Sequence, residues 1–228
     1  MTMTEDGSAK KGVVVEFDFA AAPGADILYA TTERLMKEND VPFSPRIEAQ
    51  HLAGGNYQGG LAEYFASVKS KKLPSKVAKD LSAAFREAMT EAFPSAVTDD
   101  FKAFISKLLS KGVKVVIATR ADMGVVKETL NDFLDDCNLA LYEEISSTYG
   151  SVKWDIWRRA AATNHLRSYT TIAVAGSGFS VKSALLAGMG AVAVANPRVE
   201  YQDFGGANEI FDKLDGAAAS AILRIFNV

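Results

Sequence analysis

The chain opens with an unbroken β-branched run. Val13, Val14 and Val15 lead straight into Glu16, Phe17 and Asp18, and small residues with a Pro23-Gly24 break follow. A continuous run of this kind suits a strand covered on both faces, as in a parallel α/β sheet. From about Asp26 to Phe93 the period changes. Ile27, Leu28, Leu35 and Met36 fall at helical spacing, as do Leu61, Tyr64, Phe65 and Val68, and then Val77, Leu81, Phe85, Met89 and Phe93. Each stripe predicts an amphipathic helix, and Pro74 suits a first helical turn. The stretch reads as a helical insertion, bounded by the loop at 20–24 and the segment 94–97.

Beyond Pro94, strand and helix patterns alternate. Thr98 is placed to cap a helix, with Asp99 and Asp100 in its first turn. Phe101, Phe104, Ile105, Leu108 and Leu109 form its apolar face, and Gly112 ends it. The pattern then predicts strands over 113–118, 139–142, 171–175 and 191–195. Helices are expected over 123–134, 155–166 and 181–187, with a last one over 208–226. Trp154 and Trp157 are expected to seat the second of these on the core. Such alternation implies a parallel α/β sheet with every strand's C-terminal end on one edge. That edge would gather Glu16, Asp18, Thr119 and Arg120, the loop at 151–153, and the Gly176-Ser177-Gly178-Phe179-Ser180 turn. The expected organisation is a core of 12–22 and 95–228, a helical cap of 23–94, and a disordered lead of 1–11.

Composition narrows the function. The 228 residues are 48% hydrophobic, enough for a real core, and the net charge of -3 lacks the basic face of a nucleic-acid binder. No apolar run reaches the ~18–20 residues of a membrane span, and the polar N-terminus lacks a signal peptide's apolar segment. The single cysteine, Cys137, reads as a small apolar residue and fits a reducing cytoplasm. Two histidines, His51 and His165, are too few for a histidine-based metal site or triad.

Three motifs in this order carry a resemblance that covers the chain from Val13 onward. They are a strand ending in an acid-x-acid triplet (Glu16-Phe17-Asp18) followed by a helical insertion, an apolar strand ending in Thr (VVIAT, Thr119), and a late helix and strand reading LLAGMGAVAVANP. The arrangement resembles the haloacid dehalogenase superfamily, in particular its beta-phosphoglucomutase and phosphatase-like branch. The resemblance implies a Rossmann-like parallel-sheet core with an inserted helical cap. It further implies a nucleophile at the first acid, Glu16, and a general acid/base at the second, Asp18. Thr119, Arg120, Lys153 and Ser177 would contact phosphate, and a cap loop at Gly54, Gly55, Asn56 and Tyr57 would contact substrate. In that family an acid pair holds Mg²⁺, which neutralises phosphoryl charge.

The sequence departs from that pattern at several positions. Glu16 stands where the family has Asp, and the added methylene displaces the attacking oxygen by roughly an ångström, enough to cost ~10²-fold in rate. Counting back from Gly188-Met189 puts Ala175 and Gly176 at the acid-pair positions, so no metal ligand is assigned and Mg²⁺ is expected only if the protein is catalytically active. The third motif falls on Lys153 or on Ser151. Plainer readings stand beside these: Thr119 as a cap for the helix near Asp122, Lys153 as a solvated lysine, and the glycine-rich 54–60 segment as a flexible turn. Gly176-x-Gly178 lacks the third glycine of a dinucleotide fingerprint. Three functions remain open. The first is a protein that binds a phosphorylated small molecule with weak or no turnover. The others are an active Mg²⁺-dependent phosphomonoester hydrolase or phosphomutase, and a non-catalytic interaction protein.

Overall fold

Strands β1 (Gly12–Glu16), β2 (Lys114–Thr119), β3 (Leu139–Glu143), β4 (Thr171–Ala175), β5 (Gly190–Val194) and β6 (Ile210–Phe211) form one sheet. The computed structural model describes residues 10–52, 57–68, 74–135, 138–143, 154–196 and 203–227. Spatial order is β3-β2-β1-β4-β5-β6 and every pairing is parallel. All five residues of β1 are buried, which is what its continuous apolar run requires of a central strand. The registers set Glu16 opposite Ala118 and Val15 opposite Val174, so β1, β2 and β4 end together on one edge.

Between β1 and β2 lie α1 (Phe17–Ala20), α2 (Gly24–Glu38), α3 (Pro45–Ile47) running into a π-helical turn at Glu48–Leu52, α4 (Tyr57–Ser67) and α5 (Pro74–Ala96). The helix α6 (Asp99–Leu109) starts where Thr98 accepts from Phe101 N, as expected, and Gly112 after it takes a φ of 71°. Then come α7 (Met123–Thr129), α8 (Asn131–Leu134), α9 (Trp154–Thr163), α10 (Gly178–Leu186) and α11 (Gly216–Ile225). Lys11 Nζ donates to the Phe226 carbonyl at 2.7 Å, tying the entry to β1 to the end of α11.

The sheet separates two apolar clusters. One face of β1 joins Ala160, Trp157 and Val181 of α9 and α10. The other face is larger and runs without a break from Val13 and Val15, through Phe17, Phe93 and Phe85, to Met36, Leu61 and Tyr64 of the inserted helices. The Phe17 and Phe93 rings lie 4.4 Å apart and Phe17 meets Phe101 edge-on at 5.2 Å. Burying a phenylalanine fully is worth about 1.5–3 kcal/mol. The insertion is therefore anchored to the sheet by the same aromatic cluster that seats α6.

Three details differ from the sequence pattern, and one falls within it: the helix α5 runs through Pro94 and ends at Ala96, inside the expected boundary segment 94–97. Phe93, Ala96 and Val97 are all buried, and their packing holds the last turn despite the missing N–H of Pro94. The helix expected over 123–134 breaks at Leu130. Ile210 and Phe211 form a strand against β5 instead of opening the last helix, which Asp215 caps from 216 onward. A two-residue strand is too short to show a period. Trp157 is buried and donates from Nε1 to Ser183 Oγ at 2.9 Å, but Trp154 is about half exposed, so one tryptophan rather than two seats α9.

Candidate functional site

Asp18 and Glu16 both lie at the C-terminal edge of the sheet, and both are buried at 1% exposure rather than solvated in a cleft. Their carboxylates turn to opposite flanks of β1. Asp18 meets the end of β2. Thr119 Oγ1 donates to Asp18 Oδ1 at 2.5 Å, Arg120 N to Oδ2 at 3.1 Å, and Arg120 Nη1 to Oδ2 at 3.0 Å. The Thr119 hydroxyl also accepts from Ala121 N at 3.1 Å, which fixes its proton toward Asp18. Asp122, not Thr119, caps α7, accepting from Gly124 N at 2.8 Å. The pair Asp18–Arg120 is a buried ion pair, with side-chain exposures of 1% and 5%. Three donors on the Asp18 carboxylate offset part of its desolvation.

Glu16 meets the end of β4. Its Oε2 accepts from Gly176 N at 2.9 Å and its Oε1 from Ser180 Oγ at 3.0 Å. Ser177 caps α10, accepting from Ser180 N at 3.1 Å, and so places the Ser180 hydroxyl toward the sheet. The added methylene of Glu16 is what lets its carboxylate reach Gly176 N and the first turn of α10.

The roof is α5. The guanidinium of Arg120 lies over the Phe19 ring at 5.6 Å and over the Phe85 ring of α5 at 5.7 Å. The two rings are themselves stacked, 5.9 Å apart. Thr90 of α5 accepts from Asp122 N at 2.9 Å, and Arg86 of α5 reaches Glu143 at the end of β3 at 2.7 Å. Of the remaining sequence candidates, Ser177 lies beside the Glu16 flank, and Tyr57 begins α4. Gly54, Gly55, Asn56, Ser151, Lys153 and Cys137 lie outside the described residues. The His51 ring lies 5.2 Å from that of Tyr64, tilted to it, and His165 is exposed beyond the end of α9, so neither joins the site.

No family model and no curated protein matches the sequence. Solved structures do match the fold over almost its whole length. The beta-phosphoglucomutase of Clostridium difficile superposes with a TM-score of 0.70 at 12% identity, covering 96% of this chain and 97% of that one. CbbY of Rhodobacter sphaeroides, solved in complex with phosphate, gives 0.65 at 13% identity over 90% and 95%. A haloacid dehalogenase-like protein of Agrobacterium tumefaciens gives 0.65 at 14% over 96% and 100%. The chain has a haloacid dehalogenase-like fold.

A haloacid dehalogenase-like site implies Mg²⁺, and the residues present do not fit it. Mg²⁺ takes octahedral oxygen ligands anchored by carboxylates. At the positions to which the sequence resemblance assigns the acid pair, Ala175 and Gly176 offer no side-chain ligand. A Cβ built on Gly176 would lie 2.3 Å from the Phe19 backbone carbon and oxygen, so the backbone of α1 fills the space an acidic side chain would need. Both Glu16 oxygens already accept hydrogen bonds, and no group of three or more His, Cys, Asp or Glu side chains suited to a metal occurs among the described residues.

The sequence pattern alone did not single out three of the participants. Ser180 stands in the glycine-rich turn, but nothing separates its hydroxyl from that of Ser177 without the helix geometry. Phe19 and Phe85 read as ordinary apolar positions, and no local signal marks them as the stacked rings beside the guanidinium.

Proposed function

We propose that this chain binds a phosphorylated small molecule at the edge formed by β1 and β2, with weak or no turnover. One observation carries the reading: the Thr119 hydroxyl, the Arg120 amide and the Arg120 guanidinium converge on a single carboxylate. Donors arranged this way suit any oxyanion, because charge-assisted bonds from a guanidinium fork fit carboxylate and phosphoryl oxygens alike. That the fold neighbour CbbY was solved with phosphate agrees with it. In this reading residues 23–94 form the cap over the ligand.

Weak turnover follows from the Glu16 flank. A nucleophile must present a free oxygen to phosphorus along the line of attack, and both oxygens of Glu16 are engaged by Gly176 and Ser180. The donor set leaves no place for the divalent cation that would neutralise a transferring phosphoryl group. The test combines two measurements on the purified chain. Phosphate release from simple phosphate esters should stay at background with and without Mg²⁺, while phosphate or sugar phosphates raise the melting temperature by binding the native state. Mg²⁺-dependent release would instead establish an active hydrolase, and the absence of any thermal shift would leave an interaction protein.

A further inference from the structure

We infer that the Asp18–Arg120 pair is an autoinhibitory latch: the protein's own carboxylate occupies the oxyanion donors, and the same guanidinium ties the sheet edge to α5. The inference rests on the binding reading above and adds what controls access to that site.

Three observations carry it. The first is occupancy. Asp18 accepts at both oxygens, from Thr119 Oγ1, Arg120 N and Arg120 Nη1, so an incoming oxyanion finds every one of these donors taken. The second is reach. One guanidinium touches three residues on two elements, bonding to Asp18 of α1 while lying over Phe19 of α1 and Phe85 of α5. A planar cation stacks on rings and hydrogen-bonds in its own plane at the same time, which a lysine ammonium does not do. The third is closure. Asp18 is 1% and Arg120 4% exposed, and α5 is held along the same edge by Thr90 with Asp122 N and by Arg86 with Glu143. A ligand that enters past α5 must move it, and a shift of α5 removes Phe85 from the guanidinium.

These contacts define two states. In the closed state Asp18 is bonded to Arg120 and α5 is seated. In the open state an external oxyanion satisfies Arg120 and the Asp18 carboxylate is released. A ligand moves such an equilibrium only by its differential affinity for the two states. The favoured ligand class is a dianionic oxyanion such as a phosphomonoester, which can displace a monoanionic carboxylate from a cation. The apparent affinity of the wild-type chain is lowered by the small fraction of molecules that are open.

The experiment uses the full chain with inorganic phosphate as probe, in Asp18→Asn and Arg120→Lys variants beside wild type. Asp18→Asn keeps an acceptor for Thr119 but offers the guanidinium no charge. It should bind phosphate at least about tenfold more tightly than wild type by calorimetry, since the closed state loses its internal anion. Amides 85–90 of α5 should exchange faster in phosphate-free buffer and regain protection when phosphate is added, with α6 unchanged. Arg120→Lys should loosen the same α5 amides without gaining affinity. Equal phosphate affinity in wild type and Asp18→Asn overturns the latch but leaves the binding reading intact. Binding by Asp18→Asn alone upholds the latch and removes the binding reading for the wild-type chain. Absence of binding in both, or exchange rising equally in α5 and α6, overturns the latch, the latter by showing plain destabilisation.

Discussion

The two flanks of β1 are closed in different ways. On the β4 flank backbone meets backbone: Gly176 abuts Phe19 so closely that a Cβ would sit 2.3 Å from main-chain atoms, and Glu16 bonds across to Gly176 N. On the β2 flank side chain meets side chain: Asp18, Thr119 and Arg120 bond to one another under the Phe85 ring. The difference decides what a single substitution can undo. Main-chain contact yields only if an element moves, whereas a side-chain contact yields to a rotamer. The β4 flank is therefore closed by the path of the chain. In the reading proposed above, the β2 flank, where phosphate would bind, is closed by a side chain that a ligand could displace.

The sharpest way to break this contrast is Gly176→Asp, the change that would restore an acid at the metal position. The Phe19 backbone must move to admit even the Cβ, so the variant should lose at least about 3 kcal/mol, the upper range for overpacked sites, and gain no Mg²⁺-dependent phosphatase activity. Chemical denaturation and a phosphate-release assay check both. A stable variant that hydrolyses phosphate esters would show that the β4 flank is as adaptable as the β2 flank.

A smaller effect is expected from Ser180→Ala. It removes the hydroxyl that donates to buried Glu16 Oε1 but leaves the Gly176 N–H in place. Leaving a buried acceptor underbonded costs about 1–3 kcal/mol, measured as a lower denaturation midpoint with an unchanged slope. No loss would mean that Glu16 draws little from this flank.

The smallest change is expected from Arg86→Ala. Arg86 and Glu143 are 46% and 40% exposed, so their ion pair is screened by solvent. Its removal should cost under about 1 kcal/mol, less at high salt, and should raise exchange only locally in α5. A larger loss would move the main hold on α5 away from Arg120 and toward the rim.

Much of the fold was legible because its signals are local. The buried run of β1, the cap at Thr98, the apolar face of α6 and the strand at Thr171–Ala175 all follow from composition and period, and the structure has each of them. The sequence failed where tertiary contact overrides a local signal. The helix expected over 123–134 breaks at Leu130, where the local pattern shows no stop. Phe211 reads as helical until β5 offers it a hydrogen-bonding edge. At the site, the sequence placed Glu16, Asp18, Thr119 and Arg120 on one edge, since parallel strands leave their C-terminal ends together. It held no indication that Asp18 would turn to Arg120 and Glu16 to Ser180, because both partners lie over 100 residues away and side-chain direction is set by packing.

The amino-acid order by itself determined five of the six strands, the helical insertion after the first acid triplet, and the placing of Glu16 and Asp18 at the end of the first strand. Only the tertiary structure decided that these carboxylates are buried and bonded to their own chain. The physical reason is that a charge removed from water must find partners, and which partners it finds depends on what the fold brings within hydrogen-bonding distance. Here the fold brings a guanidinium set beside two stacked phenyl rings to one carboxylate, and a backbone amide and a serine to the other.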